Sequence, residues 1–316
     1  TIYVRNLIKA SDILQAQIDA LVSEISPDDL ETLLQHPHLI QIRENITHYV
    51  RAIESIFEQK GGTAANLSVR SRRSYQWLKF LSAEENILQH IQTLNRLYTL
   101  SSAISIPRSK KNFTLIVYLY HTGALYKIQE KGTILKITAH EAFIAAPRET
   151  LESLINIAYQ KDKSAASAKV NEFADSEELF AIQQEMEYIG IPQGVNAQGE
   201  YHNLEKVFKR VNRVYFDNKI PQPHLVWNQR PTYRKFGHYQ YSTDTLLISR
   251  SLDLPDTPTF VLDFVMYHEV LHKKLGYSTV NGRRYAHTSV FREKEREFKK
   301  YQEAKDYMQK LSQMIS

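Results

Sequence analysis

FVLDFVMYHEVLHKKLG, residues 260–276, is the stretch whose reading decides this chain. Apolar side chains cover most of the circumference of a helix drawn over it, so the spacing predicts a largely buried helix. Thr257 is placed to cap its start, with Pro258 at the first helical position. Lys273 and Lys274 fall in the last turn, where they favour the negative end of the helix dipole, and Gly276 suits the left-handed residue that closes a helix. Inside this apolar frame stand His268, Glu269 and His272. Residues four apart share one face about a turn apart, so both imidazoles can turn to one ion, while Glu269 lies ~100° round the helix beside them. Burying these three groups without a partner is costly. The HExxH arrangement of metallopeptidases supplies one: the imidazoles hold zinc and the glutamate accepts a proton from water.

An open tetrahedral site needs a third protein ligand. His287 follows a turn signal at Asn281-Gly282 and precedes Thr288 and Ser289, either of which can cap a final helix over 290–311. It is the expected third ligand. Glu293, Glu295 and Glu297 are rivals, although they belong to an alternating-charge run of the kind that marks a solvated face. His238 is a further imidazole nearby in sequence, read as a strand or turn histidine with a solvent partner. Imidazole ligation favours zinc among divalent ions, and a single Zn2+ per chain is expected.

Working outward, the chain reads as α+β with three regions. Residues 1–105 are helical: Ile42, Ile46, Tyr49, Val50, Ile53 and Ile56 recur at helical spacing, and Gly61-Gly62 breaks the pattern. Residues 106–202 open with FTLIVYLY, ALYKIQEKG and TILKITAHEAFI, rich in β-branched and aromatic residues and separated by Thr122-Gly123 and Lys131-Gly132. These predict a three-stranded antiparallel meander, then helices over 147–159 and 176–188 separated by the polar stretch KDKSAASAK. Residues 203–316 read as an amphipathic helix over 204–216, strands at HLVWNQ and HYQYSTDTLLISR, the HExxH helix and the final helix.

Composition narrows the chemistry. No cysteine is present, so disulfides, a catalytic thiol and thiolate-held zinc are excluded, and an intracellular, cytoplasmic address is the default expectation. No apolar run is long enough to span a membrane, and TIYVRNLIKASDILQAQ turns polar too early for a signal peptide. Charge is uneven: the net is −3 over residues 1–200 and +8 over residues 201–316. A basic part of that kind can attract nucleic acid or acidic protein. Arg70, Arg72 and Arg73 stand beside Tyr75 and Trp77, a mixture suited to phosphate contact and base stacking.

VNRVYFDNKIPQPHLVWNQ, KFGHYQY, LLISRSL, VMYHEVLHKKLG and HTSVFREKEREF occur in that order between about residues 203 and 300. The order of a helix ending in Tyr-Phe, a Pro-rich link, a Trp-bearing strand, HExxH and a later His-x-x-x-Phe resembles the SprT-like (Spartan-related, WLM-type) zinc metallopeptidases. The resemblance implies a zincin-like core in which His268, His272 and His287 hold zinc and Glu269 is the catalytic base. It also implies a protein or peptide substrate, with DNA and DNA-associated proteins as further partners. The Cys-based modules of several relatives are absent, and residues 1–105 lie outside the resemblance. Zincin-type peptidases hold substrate backbone against an edge strand, for which TLLISR or the segment from His238 to Tyr241 is suited. Tyr239, Tyr241 and Tyr285 are candidate oxyanion or substrate contacts. The alternative reading is a nucleic-acid- or partner-binding protein whose metal site is structural or regulatory. A peptidase whose N-terminal half covers its cleft is a third.

Overall fold

The computed structural model describes residues 2–24, 30–104, 110, 112–160, 163–190, 197–228, 232–233, 235–276, 278–280 and 283–313. It mixes helices with two small three-stranded sheets, an α+β architecture. The sequence reading divides the chain near 105 and 202. Its contacts divide it once, into Thr1–Pro192 with Asn281–Arg283 and Gln193–Val280 with Arg284–Ser316.

The first unit opens with helices α1 (Leu7–Glu24), α2 (Leu30–Gln35), α3 (Pro37–Lys60), α4 (Val69–Leu81) and α5 (Glu84–Ala103). Ile42, Ile46, Val50, Ile53 and Phe57 form the buried stripe of α3, which is the helical period read from the sequence. Strands β1 (Thr114–Tyr120), β2 (Tyr126–Lys131) and β3 (Ile134–His140) follow, then α6 (Arg148–Ala158), α7 (Lys163–Ala174) and α8 (Glu177–Tyr188). Leu14, Ile18, Trp77, Leu94, Val117, Ile137, Phe143 and Leu154 belong to one core cluster, so helices and sheet bury each other's apolar faces. The Gln15 side chain, donating to the Leu119 carbonyl at 3.2 Å, ties α1 to β1.

Two expectations need correction in this unit. The sheet is not a meander: its order is β1-β3-β2, with β1 and β3 parallel and β2 and β3 antiparallel. β3 carries Leu135, Ile137 and Ala139 on its buried face, opposite Val117 and Leu119 of β1, and takes the centre. β2, with Lys127, Gln129, Glu130 and Lys131, has no buried residue and takes an edge, where charge discourages further pairing. The part of KDKSAASAK from Lys163 onward is not a linker but the start of α7, whose Ala166, Val170 and Phe173 are buried.

The second unit runs through α9 (Leu204–Phe216), β4 (His224–Trp227), β5 (Gly237–Gln240), β6 (Thr245–Ile248), α10 (Thr259–Leu275), a ribbon of β7 (Ser278–Val280) and β8 (Arg283–Tyr285), α11 (Ser289–Arg296) and α12 (Tyr301–Gln313). Sheet order is β4-β6-β5, with β4 and β6 parallel and β5 and β6 antiparallel. TLLISR therefore contains the central strand, which removes it as a substrate edge and leaves β5. Leu225, Trp227, Tyr239, Leu246 and Ile248 join the core that contains Val207 and Val211 of α9 and Val261, Phe264 and Val265 of α10. Arg210 of α9 grips Asp263 of α10 through both carboxylate oxygens, with Nε at 2.8 and 3.0 Å.

The final helix is two helices rather than one. The break after Glu297 lets Phe298, 5% exposed, enter the core against Tyr215, Phe264 and Tyr267, at ring-centroid distances of 5.1, 5.3 and 5.6 Å. The Asn281-Gly282 turn lies outside the described residues.

Candidate metal centre

Helix α10 starts one residue later than the sequence suggests, with Pro258 rather than Thr257 at the cap position. It ends at Gly276, whose φ of 67° and ψ of −150° lie at positive φ but outside the left-handed helical region expected there. Val261, Phe264, Val265 and Leu271 anchor it in the core, which fixes the direction of the face bearing His268 and His272. The third imidazole arrives from outside the helix. His287 precedes Thr288, which caps α11 by accepting the Phe291 N–H at 3.2 Å.

The three Nε2 atoms converge. His268 and His272 are separated by 3.2 Å, His268 and His287 by 3.3 Å, and His272 and His287 by 3.1 Å. Three ring nitrogens meeting at one point cannot all satisfy one another as donors and acceptors, whereas a cation can accept three lone pairs. Zn–N bonds of ~2.0–2.1 Å in tetrahedral geometry put ligand nitrogens about 3.3 Å apart, so the donor set fits zinc in type and spacing.

Two further side chains prepare the triad. Phe291, fully buried, touches all three rings; its centroid lies 4.5, 4.6 and 5.1 Å from those of His272, His287 and His268. Glu295 holds His268 Nδ1 at 2.8 Å, which leaves Nε2 to face the other two imidazoles. Burial pushes the Glu295 pKa up, but the hydrogen bond and charge of His268, together with Lys305, outweigh it and hold the carboxyl below its ordinary range. Lys305 Nζ lies 3.3 Å from Glu295 Oε1, and the Tyr301 hydroxyl donates to Oε2 at 3.4 Å. Glu295 thus orients His268 through the nitrogen that points away from the other two imidazoles. Glu293 and Glu297 are exposed, and Glu297 pairs with Lys294 at 2.8 Å.

Glu269 is 4% exposed and packed against the start of β5. A Cβ on Gly237 would stand 2.5 Å from Glu269 Oε1 and 2.8 Å from its Cγ. Glycine at 237 is therefore the condition for the strand and the carboxylate to approach. The sequence shows that glycine inside a strand pattern, a known mark of close backbone approach, but not what approaches.

The tyrosines stand differently. The Tyr239 hydroxyl donates to Asp244 Oδ1 at 2.7 Å, and Lys273 pairs with the same carboxylate, so that phenol is already engaged. Tyr241 is 39% exposed and packs edge-on against Tyr239. The side chain of Tyr285 lies outside the described residues. His238 alternates to the face of β5 opposite Gly237 and does not join the triad. Among the described residues its Nε2 is buried without a hydrogen-bond partner, and burial, aided by Lys235, pushes its pKa down to about 3. Arg70, Arg72 and Arg73 lie on α4 in the first unit, but Tyr75 and Trp77 are core residues at 2% and 0% exposure. Base stacking on those two rings is excluded. Among the described residues no helix is long and apolar enough to cross a membrane. No family model matches the chain, and neither a curated protein nor a solved structure does.

Proposed function

We propose that the second unit is a zinc-dependent metallopeptidase with a zincin-like core. The observation that carries this is the convergence of the three Nε2 atoms within 3.1–3.3 Å, two of them borne by a helix that also places Glu269 beside His268. His268, His272 and His287 would hold the ion, and Glu295 keeps His268 in the tautomer and orientation that ligation needs. When bound, zinc supplies a Lewis acid that acidifies water and polarises a carbonyl. Glu269 takes a proton from the attacking water as the oxygen lone pair forms its bond to the scissile carbonyl carbon. It returns that proton to the amine nitrogen as the C–N bond breaks. Among the described residues β5 pairs only with β6, so its other edge can bind an extended peptide by strand addition, next to Glu269. The resemblance to SprT-like peptidases and the net +8 of residues 201–316 support DNA-associated proteins as substrates.

Glu269→Gln should abolish cleavage of an unfolded protein, with or without DNA, while zinc stays near one per chain. His287→Ala should lower zinc content, and Glu293→Ala should leave it unchanged. Substantial cleavage by Glu269→Gln removes that residue as the base. Stoichiometric zinc in the wild type without proteolysis would assign the site a structural role in a binding protein.

A further inference from the structure

Helix α3 is apolar over a wider arc than the core of the first unit uses. Beside its buried stripe, Tyr49, Ala52 and Ile56 recur at the three- and four-residue intervals of one helix face. Tyr49 and Ile56 are only partly buried, and Ala52 is exposed. Facing them are Tyr3, which precedes α1, and Ile13 of α1, at 79% and 44% exposure. Between the two sides lies a hollow of about 650 Å³, with the buried Leu7, Ala10 and Ile53 in its lining. At Ala52 it meets a second hollow of about 670 Å³, which follows α3 back to Ile40, itself 46% exposed. From Ile40 to Ile56 the helix rises ~24 Å, or about four turns.

The charge around this groove is opposite to that of its surroundings. Residues 1–200 carry a net of −3, yet Arg5 and Lys9 border the first hollow and no acidic residue lines it. The second hollow adds Arg51 and Arg43 against a single acid, Glu44, and Arg43 is already neutralised by Glu84 at 2.6 Å. Among the described residues Arg5, Lys9 and Arg51 meet no carboxylate. All three are exposed. A long apolar hollow along a helix, with free cations at its rim, complements a third helix that brings apolar side chains and carboxylates. A bilayer surface presents the same two chemistries but is flat, so the concave shape favours the helix.

We propose that this groove binds an amphipathic helix of a partner protein, about four turns long, apolar on one face and flanked by Asp or Glu. Tyr3, Ile13, Tyr49 and Ile56 bury against its apolar face, and Arg5, Lys9 and Arg51 pair with its carboxylates. The rim pairs set which partner is accepted more than how tightly it is held. The surface belongs to the first unit alone and does not depend on the metal centre.

The test follows the anisotropy of a labelled peptide helix of about four turns, with leucine on one face and glutamate along both flanks, titrated with the full chain. The same peptide with lysine in place of glutamate is the control. The wild type should bind the glutamate peptide at least tenfold more tightly than the lysine peptide, and Arg5→Glu/Lys9→Glu should reverse that preference. Both positions are exposed, and Lys9→Glu puts an acid in the first turn of α1, so the fold is not put at risk. Ile13→Ser should weaken the glutamate peptide fivefold or more, while Lys206→Glu/Lys209→Glu, at exposed positions on α9, should change it less than twofold. Vesicles of phosphatidylserine with phosphatidylcholine, and sedimentation of the chain alone, test the other occupants. Vesicle binding or dimer formation that Ile13→Ser abolishes, without peptide binding, would assign the face to a membrane or a second copy and overturn the proposal. So would a wild type that binds neither peptide or both equally, or Arg5→Glu/Lys9→Glu and Ile13→Ser variants that bind as the wild type does.

Discussion

Glu295 and Asp19 are both carboxylates in helices, and their surroundings push their protonation in opposite directions. Glu295 has His268 and Lys305 within 2.8 and 3.3 Å, and the carboxylate form is favoured. Asp19 lies in α1 with Oδ1 buried and, among the described residues, unpartnered; burial raises its pKa from 3.8 to about 6, against smaller lowering effects of His90 and Lys136. A carboxyl whose folded pKa is raised contributes its stability below the unfolded value and loses it as pH rises through the folded value. The first unit should therefore weaken between pH 3.8 and about 6. The linkage ceiling is ~3 kcal/mol, which partial exposure of the group reduces to ~1–2 kcal/mol. Asp19→Asn should be more stable than wild type by that amount at pH 7.5 and indistinguishable from it near pH 4. Urea midpoints followed by Trp77 fluorescence would show this, and an equal difference at both pH values would refute the assignment to Asp19.

At the scale of elements, what the sequence revealed was whatever depends on short spacing. The HExxH helix was legible because a four-residue interval fixes which side chains share a face, whatever surrounds them. His287 was legible from its place before a capping threonine. Strand order was not, since the preference of β3 for the centre depends on comparing Leu135, Ile137 and Ala139 with the charged face of β2 across a turn that permits either pairing. Helix α7 was missed because Ser164, Ala165 and Ala168 carry no apolar stripe, and only Ala166, Val170 and Phe173 are buried. The signal for Glu295 was present and misread: Phe291, Glu295 and Phe298 recur at four- and three-residue intervals, so this glutamate lies in the buried stripe and not on a solvated face. Phe298 also explains the break between α11 and α12. Its replacement by Ala should cost the second unit ~3–5 kcal/mol, the range for deleting a buried phenyl ring. Chemical denaturation followed through Trp227 would measure it, and a loss under about 1 kcal/mol would mean the break has another origin.

At the scale of the whole molecule, the two units each contain one of the chain's two tryptophans, Trp77 in the first core and Trp227 in the second. Trp77 Nε1 donates to Glu141 at 2.9 Å and Trp227 Nε1 to the Ala197 carbonyl at 3.1 Å, so each indole is locked into the unit it reports. If His268, His272 and His287 hold zinc, the free energy of binding adds to the folding of the second unit alone, since the unfolded chain no longer brings these rings together. Zinc at a thousandfold above its dissociation constant contributes about 4 kcal/mol. For a unit of this size that corresponds to a melting shift on the order of 10 °C. Trp77→Phe leaves Trp227 as the reporter, and chelation should lower its melting midpoint by that amount. In Trp227→Phe, where Trp77 reports, chelation should move the midpoint by less than about 2 °C. Equal shifts in both variants would mean that the units unfold together, and no shift in either would remove the metal from the fold.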